Sequence, residues 1–123
     1  MREVAVAYML LVVEPRGQRG ERTDEEGRAA YAQMLHYADD LKARGVLRAY
    51  SSLRNDSEGQ RLQVRAGKRS LRDGPFTEAR EMIGGFFLVD CATYQDALEL
   101  AALCPAAEWA TVEVRETGPC YLG

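Results

Sequence analysis

The apolar positions of the chain fall into unbroken runs and alternating segments. Val4 to Val13 is apolar at almost every position and rich in β-branched residues, and Gly84–Asp90 repeats this pattern. Such runs are typical of central strands that are covered on both faces. Arg61–Ala66 and Thr111–Glu116 instead alternate apolar and polar residues, which predicts strands with one face in water. Arg61–Ala66 turns at Gly67-Lys68 and returns as a hairpin.

Two helices are predicted between these strands. Thr23 followed by Glu26 forms the pattern of a capping box, and Gly45 is placed to end the helix in the left-handed conformation. One stripe of apolar side chains marks the buried face of this helix: Ala30, Met34, Tyr37, Ala38 and Leu41. A second helix begins at Thr93 and ends before Pro105, which cannot continue it.

The order of these elements predicts an α+β domain. With a strand over Val46–Leu53, it reads as a ferredoxin-like βαββαβ sandwich with an added β-hairpin, one domain over residues 1–123. Both helices would cover the same face of the sheet. The first strand is nevertheless apolar on both faces, since neither alternating set is polar: Tyr8, Leu10 and Val12 on one side, Ala7, Met9 and Leu11 on the other. A second copy, sheet against sheet, is the simplest cover, so we expect a homodimer.

Composition narrows the function classes. The 123 residues are 46% hydrophobic and 28% charged with a net charge of −3, which argues against a nucleic-acid partner. Three scattered cysteines and one histidine, His36, give no recognisable metal-ligand set, and no glycine-rich nucleotide motif occurs, so neither metal nor cofactor is expected. The apolar start is too short to span a bilayer and lacks a cleavage signal. We therefore expect a cytoplasmic protein without a membrane partner.

One long motif adds a resemblance to a known family. Asp73-Gly-Pro-Phe-Thr-Glu-Ala-Arg-Glu81 followed by Gly84-Gly85-Phe86 resembles the signature of the YCII-related proteins, specifically the subgroup named for its DGPF motif. Ala43–Leu47 and Asp96–Ala107 extend the resemblance over nearly the whole chain. It implies a ferredoxin-like fold paired into a dimeric α/β barrel. It implies little about activity, although genes of the subgroup often lie beside extracytoplasmic-function sigma factors, which suggests a regulatory setting.

The chain departs from its enzymatic relatives at one pair of positions. Some YCII-related proteins, including a dehydrochlorinase of chlorinated hydroxyquinols, are thought to use a histidine–aspartate pair. The corresponding positions fall near Met34 and at Cys104 in this chain. The pair is therefore absent, and its chemistry does not carry over.

Three other side chains are candidates for catalysis. Asp73, beside a Gly-Pro turn, would act as a base at the mouth of a cavity, or form an Asx-turn with nearby backbone groups. Glu81 would be a second acid–base group, or a solvated loop residue. Tyr8 would donate a hydrogen bond into the same cavity, or be a buried tyrosine with one polar neighbour. His36 lies opposite the apolar stripe and is predicted to be on the surface.

Two functions stay open at this point. The first is a small-molecule enzyme or binder whose pocket lies between helices and sheet and is centred on Asp73. The second is a non-catalytic regulatory or interaction module, linked to a sigma factor by the family resemblance alone. A basic cluster fits either function, as a grip for an anion or acidic partner, or as a solvated arm that resists edge pairing: Arg61, Arg65, Lys68, Arg69 and Arg72.

Overall fold

The computed structural model of the protein describes residues 5–122, so the predicted strand start at Val4 lies outside them. Within this range, six strands and two α-helices follow one another along the chain. The strands are β1 (Val6–Pro15), β2 (Leu47–Ser52), β3 (Gln60–Arg65), β4 (Lys68–Asp73), β5 (Glu81–Cys91) and β6 (Thr111–Glu116). The helices are α1 (Asp24–Ala43) and α2 (Tyr94–Ala102). Among the residues described, no helix is both long and apolar enough to cross a membrane.

Four strands form one sheet in the order β2-β5-β1-β6, and each neighbouring pair is antiparallel. The sheet's central strands are β1 and β5, the two segments with unbroken apolar runs. The hairpin β3–β4 is a separate two-stranded sheet. This arrangement agrees with the predicted mixed α+β fold and is consistent with a ferredoxin-like topology.

Local signals at the ends of α1 are confirmed. The Thr23 hydroxyl accepts a hydrogen bond from the backbone N–H of Glu26 at 3.1 Å, and the Glu26 carboxylate accepts one from the backbone N–H of Thr23 at 2.9 Å. These bonds hold the pKa of Glu26 below its ordinary value. Gly45 follows the helix with a φ of 75°, as a left-handed C-terminal glycine should.

The two faces of the sheet differ in burial. Tyr8, Leu10 and Val12 point to the helices and are buried with side chains of α1 and α2. The opposite face is only partly buried in a single copy and remains apolar at its centre, where β1 and β5 contribute Met9, Leu11, Val13, Phe86 and Leu88. The alternation in β6 is confirmed, because Val112 and Val114 are partly buried against the core while their neighbours are exposed.

The hairpin departs from its prediction in two respects. Every residue of β3 and β4 is exposed, so the expected half-buried pattern is wrong; the hairpin lies outside the main sheet and its core. The turn also lies one residue earlier than predicted. Ala66 and Gly67 occupy it with φ values of 51° and 77°, as a tight two-residue hairpin turn requires.

Candidate functional site

A pocket of about 300 Å³ lies between α1 and the helix-facing side of β1, β2 and β5. Its lining is mostly apolar and includes Met34, Tyr50, Phe87 and Trp109. Tyr50 stacks on Phe87 with ring centroids 5.8 Å apart and an interplanar angle of 6°. A concave, largely apolar pocket with a few polar groups is the usual form of a small-molecule site.

The polar centre of this pocket is the carboxylate of Glu14. On β1 it follows Tyr8, Leu10 and Val12 in strict alternation, so it projects from the same face as the buried core residues. Its accessible fraction is only 6%, although it carries a charge. A glutamate in phase with a buried apolar stripe is the sequence signal that could have identified it. Our reading of the sequence, which ended the apolar run at Val13, missed it.

Glu14 is paired with Arg19, which lies in the short 3-10 turn Gln18–Glu21 after β1. The ion pair joins Arg19 Nη2 to Glu14 Oε1. The geometry is not that of a hydrogen bond, however, and Oε1 is fully buried without a hydrogen-bond donor among the described residues. The charge of Arg19 compensates part of the cost of burying the carboxylate. Oε1 has no accessible surface, so a ligand in the pocket would meet Glu14 at its other carboxylate oxygen.

Gly84 makes room for this ion pair. It is the extra residue of a β-bulge, because Val12 pairs with Gly85 and Val13 pairs with Ile83. A Cβ atom at position 84 would lie 2.3 Å from Glu14 Oε1 and 2.9 Å from Arg19 Nη2, closer than real contacts. At Gly85 a Cβ would lie 2.8 Å from the backbone oxygen of Ser51. The two glycines thus let Glu14, Arg19 and β2 approach the bulged strand.

The rim of the pocket is aromatic and cationic. The Arg22 guanidinium lies over the Trp109 ring, 5.5 Å from its centroid. Gln18 Nε2 donates to the backbone oxygen of Trp109 and so ties the turn after β1 to this wall of the pocket. Tyr31 of α1 lines the pocket and also a neighbouring groove at the helix start. Sequence reasoning missed Arg19, Arg22 and Trp109, whose loops carry no motif.

Met34 and Cys104 lie side by side at the buried end of the site. Met34 lines the pocket, and its Sδ is 4.0 Å from Sγ of the buried Cys104. The family resemblance implies a histidine near Met34 and an aspartate at the position of Cys104, and here both residues are sulfur side chains. Burial raises the pKa of the Cys104 thiol, which disfavours the thiolate. Met34 and Cys104 therefore form an apolar contact at the buried end of the pocket.

The three side chains predicted to carry chemistry lie elsewhere. Asp73 is exposed at the end of β4 and accepts a hydrogen bond from Gln60 Nε2 at 2.7 Å. Glu81 is exposed at the start of β5, opposite Pro15. Tyr8 is buried, packs edge-on against Tyr94, and has its pKa raised chiefly by burial. None of the three is among the residues that line the pocket. His36 is exposed, as predicted.

The segment after Asp73 forms a tightly packed junction beneath the hairpin. A Cβ at Gly74 would overlap the backbone oxygen of Asp56, so only glycine fits there. Asp56 is held by Arg16, whose Nη1 donates to Oδ1 at 2.9 Å, and this partner keeps the pKa of Asp56 below its ordinary value. Arg16 Nε also donates to the backbone oxygen of Ala79 at 2.8 Å. These contacts connect the end of β1 to both ends of the hairpin.

Phe76 is the buried side chain of this junction. The guanidinium of Arg61 lies 3.8 Å from its ring centroid and that of Arg72 lies 5.4 Å away. Both arginines pair with Glu78, whose pKa is lowered chiefly by the hydrogen bond from Arg72. Two of the five cations in the basic cluster therefore have acidic and aromatic partners. Residues 5–122 contain no group of three or more side chains arranged to hold a metal ion.

Fold and site define an α+β domain with a small-molecule-sized pocket under its first helix. Residues 6–119 match the model of the YCII-related domain, so the chain belongs to the YCII-related family. It is also similar to an uncharacterised protein of Rhizobium meliloti (strain 1021), with 45% identity over 40 residues. That match covers 32% of this chain and 32% of the length of that protein.

Proposed function

We propose that the protein binds a small, largely apolar molecule in the pocket between α1 and the sheet, as an enzyme or as a ligand-binding domain. The observation that carries this proposal is Glu14, a buried carboxylate in a largely apolar pocket that is paired with Arg19 but accepts no hydrogen bond at Oε1. Buried charged groups of this kind are uncommon in folded proteins and are found often at binding and catalytic sites. The volume of about 300 Å³ fits a molecule the size of one substituted ring.

Trp109 provides a direct test, because it is the only tryptophan of the chain and it lines the pocket. A fragment library is screened by thermal shift, and each compound that stabilises the protein is titrated against Trp109 fluorescence. We expect stabilising compounds to change the fluorescence of the wild type and to bind more weakly to Glu14→Gln. Glu99→Gln, the same change at an exposed position of α2 outside the pocket, is the matched control and should bind like the wild type.

Asp73 enters the same screen, since the sequence placed the site there. Asp73→Asn keeps the turn-forming side chain and removes only the charge. Compounds that lose affinity for Asp73→Asn but keep it for Glu14→Gln would place the site at Asp73, with Glu81 and Tyr8 as the remaining candidates. Compounds that stabilise all variants equally and leave Trp109 unchanged would overturn the pocket proposal.

A homodimer is the second element of the proposal. The partly exposed apolar face of β1 and β5, with Met9, Leu11 and Phe86 at its centre, favours a second copy packed sheet against sheet. Membership of the DGPF-motif subgroup and a cytoplasmic location are part of the same proposal. Both rest on sequence reasoning, the former on the Asp73–Glu81 motif.

The alternative function is a regulatory or interaction module, with a sigma-factor link that rests on the family resemblance alone. The hairpin favours it, because Leu62, Val64 and Leu71 are each more than 50% exposed on a projecting arm. If the hairpin binds a partner protein, replacing two of its exposed apolar side chains by Leu62→Ser and Leu71→Ser should abolish that binding. The same changes would leave ligand binding in the pocket intact.

A further inference from the structure

We infer that the pocket recognises a small hydroxy acid: an apolar body with a hydroxyl that donates to Glu14 and a carboxylate that meets Arg19 and Arg22. This rests on the proposed function and adds the chemical class of the ligand. Three features carry it: a buried carboxylate in the lining of the pocket, the sign of the charge around it, and the apolar walls.

Glu14 brings a carboxylate to the lining of the pocket. Its Oε1 has no accessible surface and contacts Arg19, so a ligand would meet the carboxylate at its other oxygen. A carboxylate oxygen can only accept, so the complementary ligand group is an O–H or N–H donor. A hydrogen bond to an ionised acceptor in a dry site is among the stronger polar contacts available to a ligand.

The charged side chains around the pocket indicate the charge of its ligand. Three arginines and two carboxylates line the pocket and the groove that adjoins it, namely Arg19, Arg22, Arg28, Glu14 and Asp24. Arg19 already compensates the charge of Glu14. Arg22 lies over Trp109 and belongs to none of the ion pairs within residues 5–122. An ammonium group on the ligand would therefore meet net positive charge. An uncharged hydroxyl can instead donate to Glu14 while a neighbouring anionic group of the ligand is attracted to Arg22.

The walls of the pocket indicate an apolar body for the ligand. Beyond Glu14 the walls are the apolar surfaces of Met34, Tyr50 and Phe87, and the rim is Trp109. These surfaces gain from burying an apolar group. A ligand in this pocket would direct its hydroxyl toward Glu14 and its carboxylate toward the rim, where Arg22 lies over Trp109.

Three probes of one shape test the assignment in the wild type. 3-Phenyllactate carries both groups, 3-phenylpropionate lacks the hydroxyl, and 3-phenyllactamide lacks the negative charge. We expect 3-phenyllactate to bind tightest by Trp109 fluorescence titration. Loss of the hydroxyl should weaken binding by about tenfold or more, the effect of one hydrogen bond to a charged group. Loss of the charge should weaken it by a similar factor, and high salt should reduce that second difference.

Variants assign each preference to its residue. Glu14→Met removes the acceptor at similar size and should abolish the preference for 3-phenyllactate over 3-phenylpropionate. Arg22→Gln should abolish the preference for 3-phenyllactate over its amide. Arg48→Gln, a change at the exposed ion pair with Asp90 outside the pocket lining, is the control and should keep both preferences. The wild-type comparison stands even where a variant fails to fold.

The outcomes separate this inference from the proposed function. Equal affinity for all three probes, with a change in Trp109 fluorescence, would overturn the hydroxy-acid class and leave the pocket as a binding site. Absence of binding by every phenyl probe would also overturn the class; the fragment screen then decides the pocket by itself. Preferences that survive in both Glu14→Met and Arg22→Gln would show that other residues read the ligand.

Discussion

Substituting Gly84 by alanine perturbs the contact between the bulge in β5 and the buried ion pair. The new Cβ would stand 2.3 Å from Glu14 Oε1, 2.8 Å from Glu14 Cδ and 2.9 Å from Arg19 Nη2. The crowded atoms belong to side chains, so the backbone can stay in place. The Glu14 carboxylate can move away only by leaving Arg19, however, and it has little room because it is buried.

Crowding at position 84 and separation of Glu14 from Arg19 both lower the free energy of unfolding. Overpacking a well-filled site typically costs 1–3 kcal/mol, and separating a buried carboxylate from its partner adds to that. We therefore expect Gly84→Ala to lower the free energy of unfolding by about 2–3 kcal/mol. For a chain of this length the decrease in Tm should be roughly 10 °C.

Urea denaturation followed by circular dichroism measures this cost. Gly27→Ala is the matched control: a Cβ there meets nothing within 4 Å, and alanine is favoured over glycine inside α1. That change should stabilise the protein by about 0.5–1 kcal/mol. Combining Gly84→Ala with Glu14→Ala removes the crowded carboxylate, so the costs of the two changes should not add.

Two results would refute the reasoning. A cost of less than about 0.5 kcal/mol for Gly84→Ala would show that Glu14 is not confined against the bulge. Additive costs in the double variant would show that the destabilisation comes from the backbone of β5 and not from Glu14. Either result would remove the geometric basis for placing the ligand's donor at Glu14.

Three further predictions concern other parts of the molecule. Arg16 lowers the pKa of Asp56 below its ordinary value of 3.8. The ion pair therefore stabilises the fold fully above pH 3.8, and this contribution is lost as the pH falls through the lower pKa of the folded state. Asp56→Asn should remove this loss and so flatten the acid side of a curve of unfolding free energy against pH. Leu11→Asp should convert a dimer to a monomer, or unfold it, by light scattering, and a wild-type monomer mass at micromolar concentration would contradict the proposed interface. Under native conditions a thiol reagent should modify Cys120, which is exposed, and spare Cys91 and Cys104, which are buried with raised pKa values; rapid reaction of all three would contradict their burial.

The elements of the fold were largely predictable because their signals are local. The capping box at Thr23 and the left-handed glycine at position 45 depend on neighbours within one helical turn, and α1 begins and ends beside them. Strand β6 has the predicted bounds because its alternation reports a half-buried edge. Strand β5 begins at Glu81, three residues before the predicted apolar run, because Glu14 and Pro15 of β1 pair with Met82 and Glu81. The hydrophobic pattern of β5 alone cannot reveal how far β1 extends beside it.

The candidate site was far less predictable because its contacts join distant parts of the chain. Arg19 reaches Glu14 only because Gly84, on another strand, leaves the space. The space at Gly74 is likewise filled by the backbone oxygen of Asp56, so a motif that reads as a turn also forms a long-range packing contact. The alternation that placed Glu14 among core residues was present in the sequence, and it is the one local sign of the pocket.

The strand order also determines what a break in the chain would do. The tip of the hairpin exposes Arg65, Lys68 and Arg69, which are trypsin cleavage sites. A cut there leaves an amino-terminal fragment with β1 and β2 and a carboxy-terminal fragment with β5 and β6. In the order β2-β5-β1-β6 these fragments alternate, so every hydrogen-bonded strand pair of the main sheet joins one fragment to the other. The nicked protein should therefore hold together as an interleaved complex, and the hairpin tip is a rational place to divide the chain for fragment complementation.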